Sequence, residues 1–156
     1  MNSEMYKYRS TEVAKLIIAT ANEKKLSINM TKTQKLLYIA YGIHLAVRDV
    51  RLTDEHPQAW PYGPVFPTTR KRLLKEDLYS ITKDDAELRE ISQDEDMTAL
   101  VELVFKHFGM WSAQTLTIWS HKDGSPWQRT VSSEGFDWGE QIPDSYIKPY
   151  FQRMIR

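Results

Sequence analysis

Met97, Leu100, Val101, Val104, Phe105 and Phe108 recur at offsets of three, one, three, one and three, which gathers large apolar side chains on one stripe of an α-helix. Such a stripe is stable only against a partner surface, so the chain must fold around a core that other helices complete. Ser92 and Glu95 stand in capping-box relation at its start, and Gly109 is a natural stop. Two earlier segments repeat the pattern. Val13, Leu16, Ile17, Thr20 and Ala21 share one side of a helix over about Ser10 to Lys25. Leu36, Leu37, Ala40, Tyr41 and His44 share a face of a second helix, which Thr31 and Gln34 would cap and which would end near Val47.

The remaining segments are shorter. From His56 to Pro67 the prolines Pro57, Pro61, Pro64 and Pro67 forbid a continuous helix, so a strand-like stretch through Trp60 and a turn are expected. Pro67 suits the first position of a third helix reaching about Glu76. Tyr79 to Ile91 leaves room for one or two short strands. A further helix should follow Ser112 through Leu116 and Trp119, ahead of the turn Asp123, Gly124, Ser125, Pro126. The last runs from about Asp144 to Ile155, kinked or delayed by Pro149. The expected architecture is mainly α with minor β: a compact bundle of about six helices around a small extended patch.

At 156 residues the chain has room for one domain, 1–156, without an internal repeat or linker. With 41% hydrophobic and 27% charged residues it has the composition of a soluble globular protein. Lys plus Arg and Asp plus Glu are both 21, a balance that disfavours general polyanion binding. Cysteine is absent, which removes disulfides, thiolate nucleophiles and cysteine-ligated metals. The opening MNSEMYKYRS lacks the apolar stretch of a secretory peptide, and no segment is apolar enough to span a bilayer, so a cytoplasmic product is expected.

Chemistry-bearing patterns are sparse. The four histidines form no H-x-x-x-H or H-E-x-x-H pair, and no phosphate-cradling glycine loop occurs, so no metal or other cofactor is expected. His44 lies on a buried helix face, where a hydrogen-bonded core imidazole is expected; His56 and His107 suit the surface. Ser120, His121 and Asp123 lie close in sequence and leave a hydrolase using His121 and Asp123 as one alternative, though no nucleophile elbow accompanies them. Arg70, Lys71, Arg72 and Lys75 form a basic cluster, which leaves a nucleic-acid-binding regulator as another. That cluster also stands ready to pair with the acid-rich run Asp84 to Glu102, whose eight acids face Arg89 alone. Trp111, Trp119 and Trp127 crowd one region, and large rings serve cores and protein interfaces alike. The residues alone therefore point to a helical binding domain with no visible catalytic set.

Two stretches carry more. Lys35, Leu36, Leu37, Tyr38, followed by Ala59, Trp60, Pro61, Tyr62, Gly63, Pro64, Val65, is similar to the K-L-L-Y helix and A-W-x-Y-G-P-V turn of the Panacea (PanA) antitoxin domain family, which includes SocA-like phage-associated proteins. Leu116 with Ser120, His121, Pro126 and Trp127 resembles that family's L-S, T-H and P-W segment. The likeness extends over about Thr11 to Gln152. Ser120 departs mildly from the usual Thr, and Thr69 replaces a frequent Tyr, a change expected to alter a surface contact. The resemblance implies a cytoplasmic antitoxin, encoded by a prophage or other mobile element, that neutralises a partner toxin by direct binding without chemistry of its own.

Gly63 and Pro64 set a sharp corner between Trp60 and the third helix, because glycine has free dihedrals and proline locks the next one. Trp60, Tyr62, Gly63, Pro64, His121 and Trp127 are then either the fixings of that corner against the core or a direct toxin-contact face. Arg70 and Arg72 join them as candidate partner-binding residues.

Overall fold

The computed structural model describes residues 6–156; the opening residues 1–5, part of the stretch tested for a leader, lie outside it. Among the described residues there are seven α-helices and one two-stranded antiparallel sheet: α1 (Ser10–Glu23), α2 (Met30–Arg48), β1 (Gln58–Trp60), β2 (Gly63–Val65), α3 (Pro67–Leu73), α4 (Glu95–Phe108), α5 (Ala113–Ser120), α6 (Pro126–Val131) and α7 (Asp144–Met154). The expectation of about six helices missed α6, a single pair of turns begun by Pro126 and capped by the Ser125 hydroxyl, which accepts from the Gln128 amide at 3.2 Å. It is too short for an apolar period to register.

α2 is the axis of the molecule. It touches α1, α3, α4, α5, α7 and β2. Its residues are buried on every side from Lys32 to Leu45, His44 being half-buried. Tyr38 sets its ring edge-on to Phe151 of α7 at 5.5 Å, and Tyr41 does the same to Phe66 at 5.8 Å while its hydroxyl donates to Asp144 at 2.7 Å. Phe151 lies directly over Gly42, where a Cβ would stand 2.3 Å from the ring. A mid-helix glycine normally weakens a helix; here it opens the seat for α7.

The helix starts differ from expectation by a residue or two, each for a reason of capping. Asn29, not Thr31, caps α2: its side chain accepts from the Lys32 amide at 2.8 Å, while the Gln34 amide group is drawn away to the Phe66 backbone. Asp94, not Ser92, caps α4, accepting from the amides of Asp96 and Met97 and also from the Tyr8 hydroxyl at 2.8 Å. α3 ends at Leu73 rather than Glu76. Pro149 does not delay α7, which begins at Asp144; it sits exposed, as does Ser145, whose carbonyl its missing N–H would otherwise have met.

No strand forms between Tyr79 and Ile91. Three 3-10 turns stand there instead, at Leu78–Ser80, Ala86–Leu88 and Ile91–Gln93. The one at Ala86–Leu88 is held by charge. Lys15, in the apolar run of α1 and only 2% exposed, reaches Asp85 at 2.7 Å, Glu87 at 2.8 Å and Glu76 at 3.3 Å. Burial works against the Lys15 charge, but hydrogen bonds to Asp85 and Glu87 outweigh it and its pKa is raised. Those bonds hold both carboxyls below their usual range. Arg72 adds ion pairs to Glu87 and, at 3.6 Å, to Glu76.

Thr69 is a further correction, being fully buried rather than on the surface. Its hydroxyl donates to Ser10 at 2.7 Å, and Glu55 accepts from the Thr69 amide at 3.3 Å and from Thr68, closing the start of α3. His56 is half-buried between Arg51 and Asp144.

Two outcomes are expected. Gly42→Ala should displace α7 and lower the unfolding free energy by roughly 1–3 kcal/mol, read from the urea midpoint. Lys15→Met should cost roughly 3 kcal/mol at pH 7, the low end for a buried pair because the carboxylates keep partial access to water. Since Asp85 and Glu87 are depressed, their contribution is full above the ordinary carboxylate range and lost as pH falls through their lowered values. The wild type should therefore lose more stability than Lys15→Met between pH 5 and pH 3.

Candidate functional site

Residues far apart in sequence meet where β1 and β2 turn against α2, α5 and α6. Trp60 pairs with Gly63 across the turn, with Pro61 and Tyr62 at its tip. Gly63 has φ 116°, and a Cβ on it would lie 2.7 Å from both Cε of Lys35 and Oγ of Ser120. Backbone conformation and close approach both require glycine here. Pro64 and Val65 behind it are buried.

The Trp127 indole completes the corner. Its Nε1 donates to the Trp60 carbonyl at 2.8 Å, and its ring stacks on the His121 imidazole at 3.8 Å and 11°. His121 follows the last residue of α5, and Pro126 and Ser125 turn the chain back so that Trp127 faces it. Ser125 donates to the Ser120 carbonyl at 3.0 Å, fixing that turn.

Lys35 lies beneath, 1% exposed, with no carboxylate paired to it among the described residues. Burial pulls its pKa down to about 8. Burial also lowers the His121 pKa, the Lys35 charge lowers it further, and a hydrogen bond with the Tyr62 backbone opposes both. The His121 Nε2 is buried with no hydrogen-bond partner. Sequence patterning alone gave Lys35 no special place, since its neighbours Leu36 and Leu37 define the apolar face; only its position in the K-L-L-Y stretch marked it.

The candidate partner-binding residues thus separate. Trp60, Tyr62, Gly63, Pro64, His121 and Trp127 come together, and Arg70 joins them with its guanidinium 5.5 Å from the Trp60 ring centre. Arg72 does not; it belongs to the Lys15 network. Of the basic cluster, that leaves Lys71 and Lys75 exposed. Nor does a hydrolytic relay assemble among the described residues. The Ser120 hydroxyl donates to the Thr117 carbonyl at 2.8 Å, His121 is held by Trp127 and Tyr62, and Asp123 is exposed and bonded to neither. No group of three or more His, Asp or Glu that could hold a metal ion occurs among them.

The corner residues Lys35, Trp60, Gly63, His121 and Trp127 all fall within residues 33–128, which match the family described as Antitoxin SocA-like, Panacea domain. The chain belongs to that family. Antitoxin SocA of Caulobacter vibrioides (strain NA1000 / CB15N) is 29% identical over 154 residues, covering 90% of this chain and 80% of the relative. No solved structure matches. The Panacea motif residues are therefore joined in one packed corner of this SocA-like chain. No helix of the described residues is long and apolar enough to cross a membrane.

Lys35 carries a pH signature. Its folded pKa of about 8 lies below the ordinary lysine value, so the unfolded chain binds more protons between the two and stability rises with pH there. Between pH 8 and pH 9.5 the wild type should gain roughly 1–2 kcal/mol relative to Lys35→Met, measured by paired urea titrations.

Proposed function

We propose that this protein is an antitoxin that neutralises a cognate toxin by direct protein–protein binding, acting as a single domain over residues 1–156 without chemistry of its own. It works in the cytoplasm and is carried with its toxin on a prophage or other mobile element. Membership of the SocA-like antitoxin family is the observation that carries this. The geometry agrees with it. The hydroxyl, imidazole and amine that could do chemistry are spent inside the corner: Ser120 on a backbone carbonyl, His121 beneath an indole, Lys35 fully covered. What the corner leaves outside is a fixed turn with exposed aromatic surface, the kind of rigid amphipathic anchor that protein interfaces use.

Expression of the toxic neighbouring reading frame should arrest growth, and co-expression of this chain should restore it and yield a co-purifying complex. His121→Ala should keep binding in the fraction that folds while lowering the melting temperature. Growth arrest that persists with this chain present, or rescue without any complex, would refute direct neutralisation.

A further inference from the structure

The same corner continues into a surface that neither the motif nor the family assignment describes. After α6 the chain folds back along the outer edge of β1: the Gly139 amide donates to the Ala59 carbonyl at 2.9 Å, the Ala59 amide to the Glu140 carbonyl at 2.8 Å and the Ile142 amide to the Pro57 carbonyl at 3.0 Å. This pins Trp138 beside the corner. Its ring lies 6.4 Å from Trp127 and stands edge-on to Phe136 at 5.1 Å, yet 58% of the residue is open to solvent. Tyr62, at the tip of the β1–β2 turn, is 59% exposed. Large rings are costly to leave in water, and these are held by packing and backbone bonds rather than left to collapse onto the core.

This face combines its exposed rings with unpaired acids. From Thr130 to Ile147 the chain has Glu134, Asp137, Glu140 and Asp144 and neither lysine nor arginine. Asp144 is turned inward to Tyr41 and His56. Glu134, Asp137 and Glu140 are exposed, and none of them has a cationic partner among the described residues. In the run 84–102 most acids are paired, Asp85 and Glu87 with Lys15, Asp94 with Lys7, Asp96 with Arg48 and Glu102 with Lys24, while Asp84, Glu90 and Glu95 are exposed without a cationic partner among the described residues.

We infer that the exposed rings of Tyr62 and Trp138, with Glu134, Asp137 and Glu140 beside them, form the docking face for a basic segment of the toxin, whose lysine or arginine side chains lie over the rings and pair with the carboxylates. This assignment deepens the direct-binding role proposed above and rests on it. Cations attract both an indole face and a carboxylate, so one basic segment satisfies both features of the surface at once. Preorganisation by the β1 edge removes the cost of ordering the loop on binding.

The test uses the full chain and the toxin encoded beside it. Trp138→Ala should weaken the complex on the order of thirtyfold, and the pair Glu134→Lys with Asp137→Lys should weaken it more and flatten its salt dependence. The control reversal Glu90→Lys with Glu95→Lys should leave affinity unchanged, and equal melting temperatures should show that all variants fold. Carbodiimide coupling in the wild-type complex should join Glu134, Asp137 or Glu140 to toxin lysines. Unchanged affinity in both variants of this face, or links that fall instead on Glu90, Glu95 or Glu102, would overturn the assignment and leave the antitoxin role standing. A wild-type chain that binds no neighbouring toxin would remove both.

Discussion

Burial of α2 on every side is the constraint from which the rest of the structure follows. A helix with no free face has to offer each neighbour a surface of the right depth. Gly42 is hollow enough to admit Phe151, Tyr38 and Tyr41 supply rings that pack edge-on, and Lys35 reaches up to the β1–β2 turn. Each choice is unfavourable in isolation: a glycine inside a helix, tyrosine hydroxyls in a core, an amine without a counter-charge. Together they fix where α7 and the hairpin sit.

The hairpin corner is the clearest consequence. Lys35 comes up from below and the His121–Trp127 stack closes from the side, with the indole bonded to the Trp60 carbonyl. Gly63 is the only residue small enough for the space left between Lys35 and Ser120. The family motif is therefore a description of one packed joint, written in three stretches of sequence. Such a joint holds its outer surface still. A still surface favours binding a partner, because little freedom is lost when the partner arrives.

Much of this was legible from the residues. The long helices announced themselves because amphipathic stripes at Val13 to Ala21, Leu36 to Tyr41 and Met97 to Phe108 are strong periodic signals. The α2 cap was misplaced because a tertiary partner, the Phe66 backbone, takes Gln34, and the α4 cap because Ser92 lies in the 3-10 turn just before the helix, leaving the cap to Asp94, which Tyr8 also joins. The 3-10 turn at Ala86–Leu88 was illegible because its organising residue, Lys15, is distant in sequence and looks like a solvated break in an apolar run. The same holds for Lys35. Patterning treats lysine as surface, and only the three-dimensional surroundings show that both amines are inside, one balanced by three acids and the other by none. Trp138 was equally hidden, since nothing local marks a tryptophan as pinned and exposed.

An antitoxin that works by direct binding occupies its partner and leaves that partner's covalent structure alone. The decisive experiment is a stoichiometric titration of the purified toxin's activity with the purified chain, with the toxin's intact mass measured before and after. Direct neutralisation gives a linear fall to an equivalence point, full recovery when the complex is dissociated, and an unaltered mass. Inactivation by trace amounts of this chain, or a toxin returned with a changed mass, would rule it out.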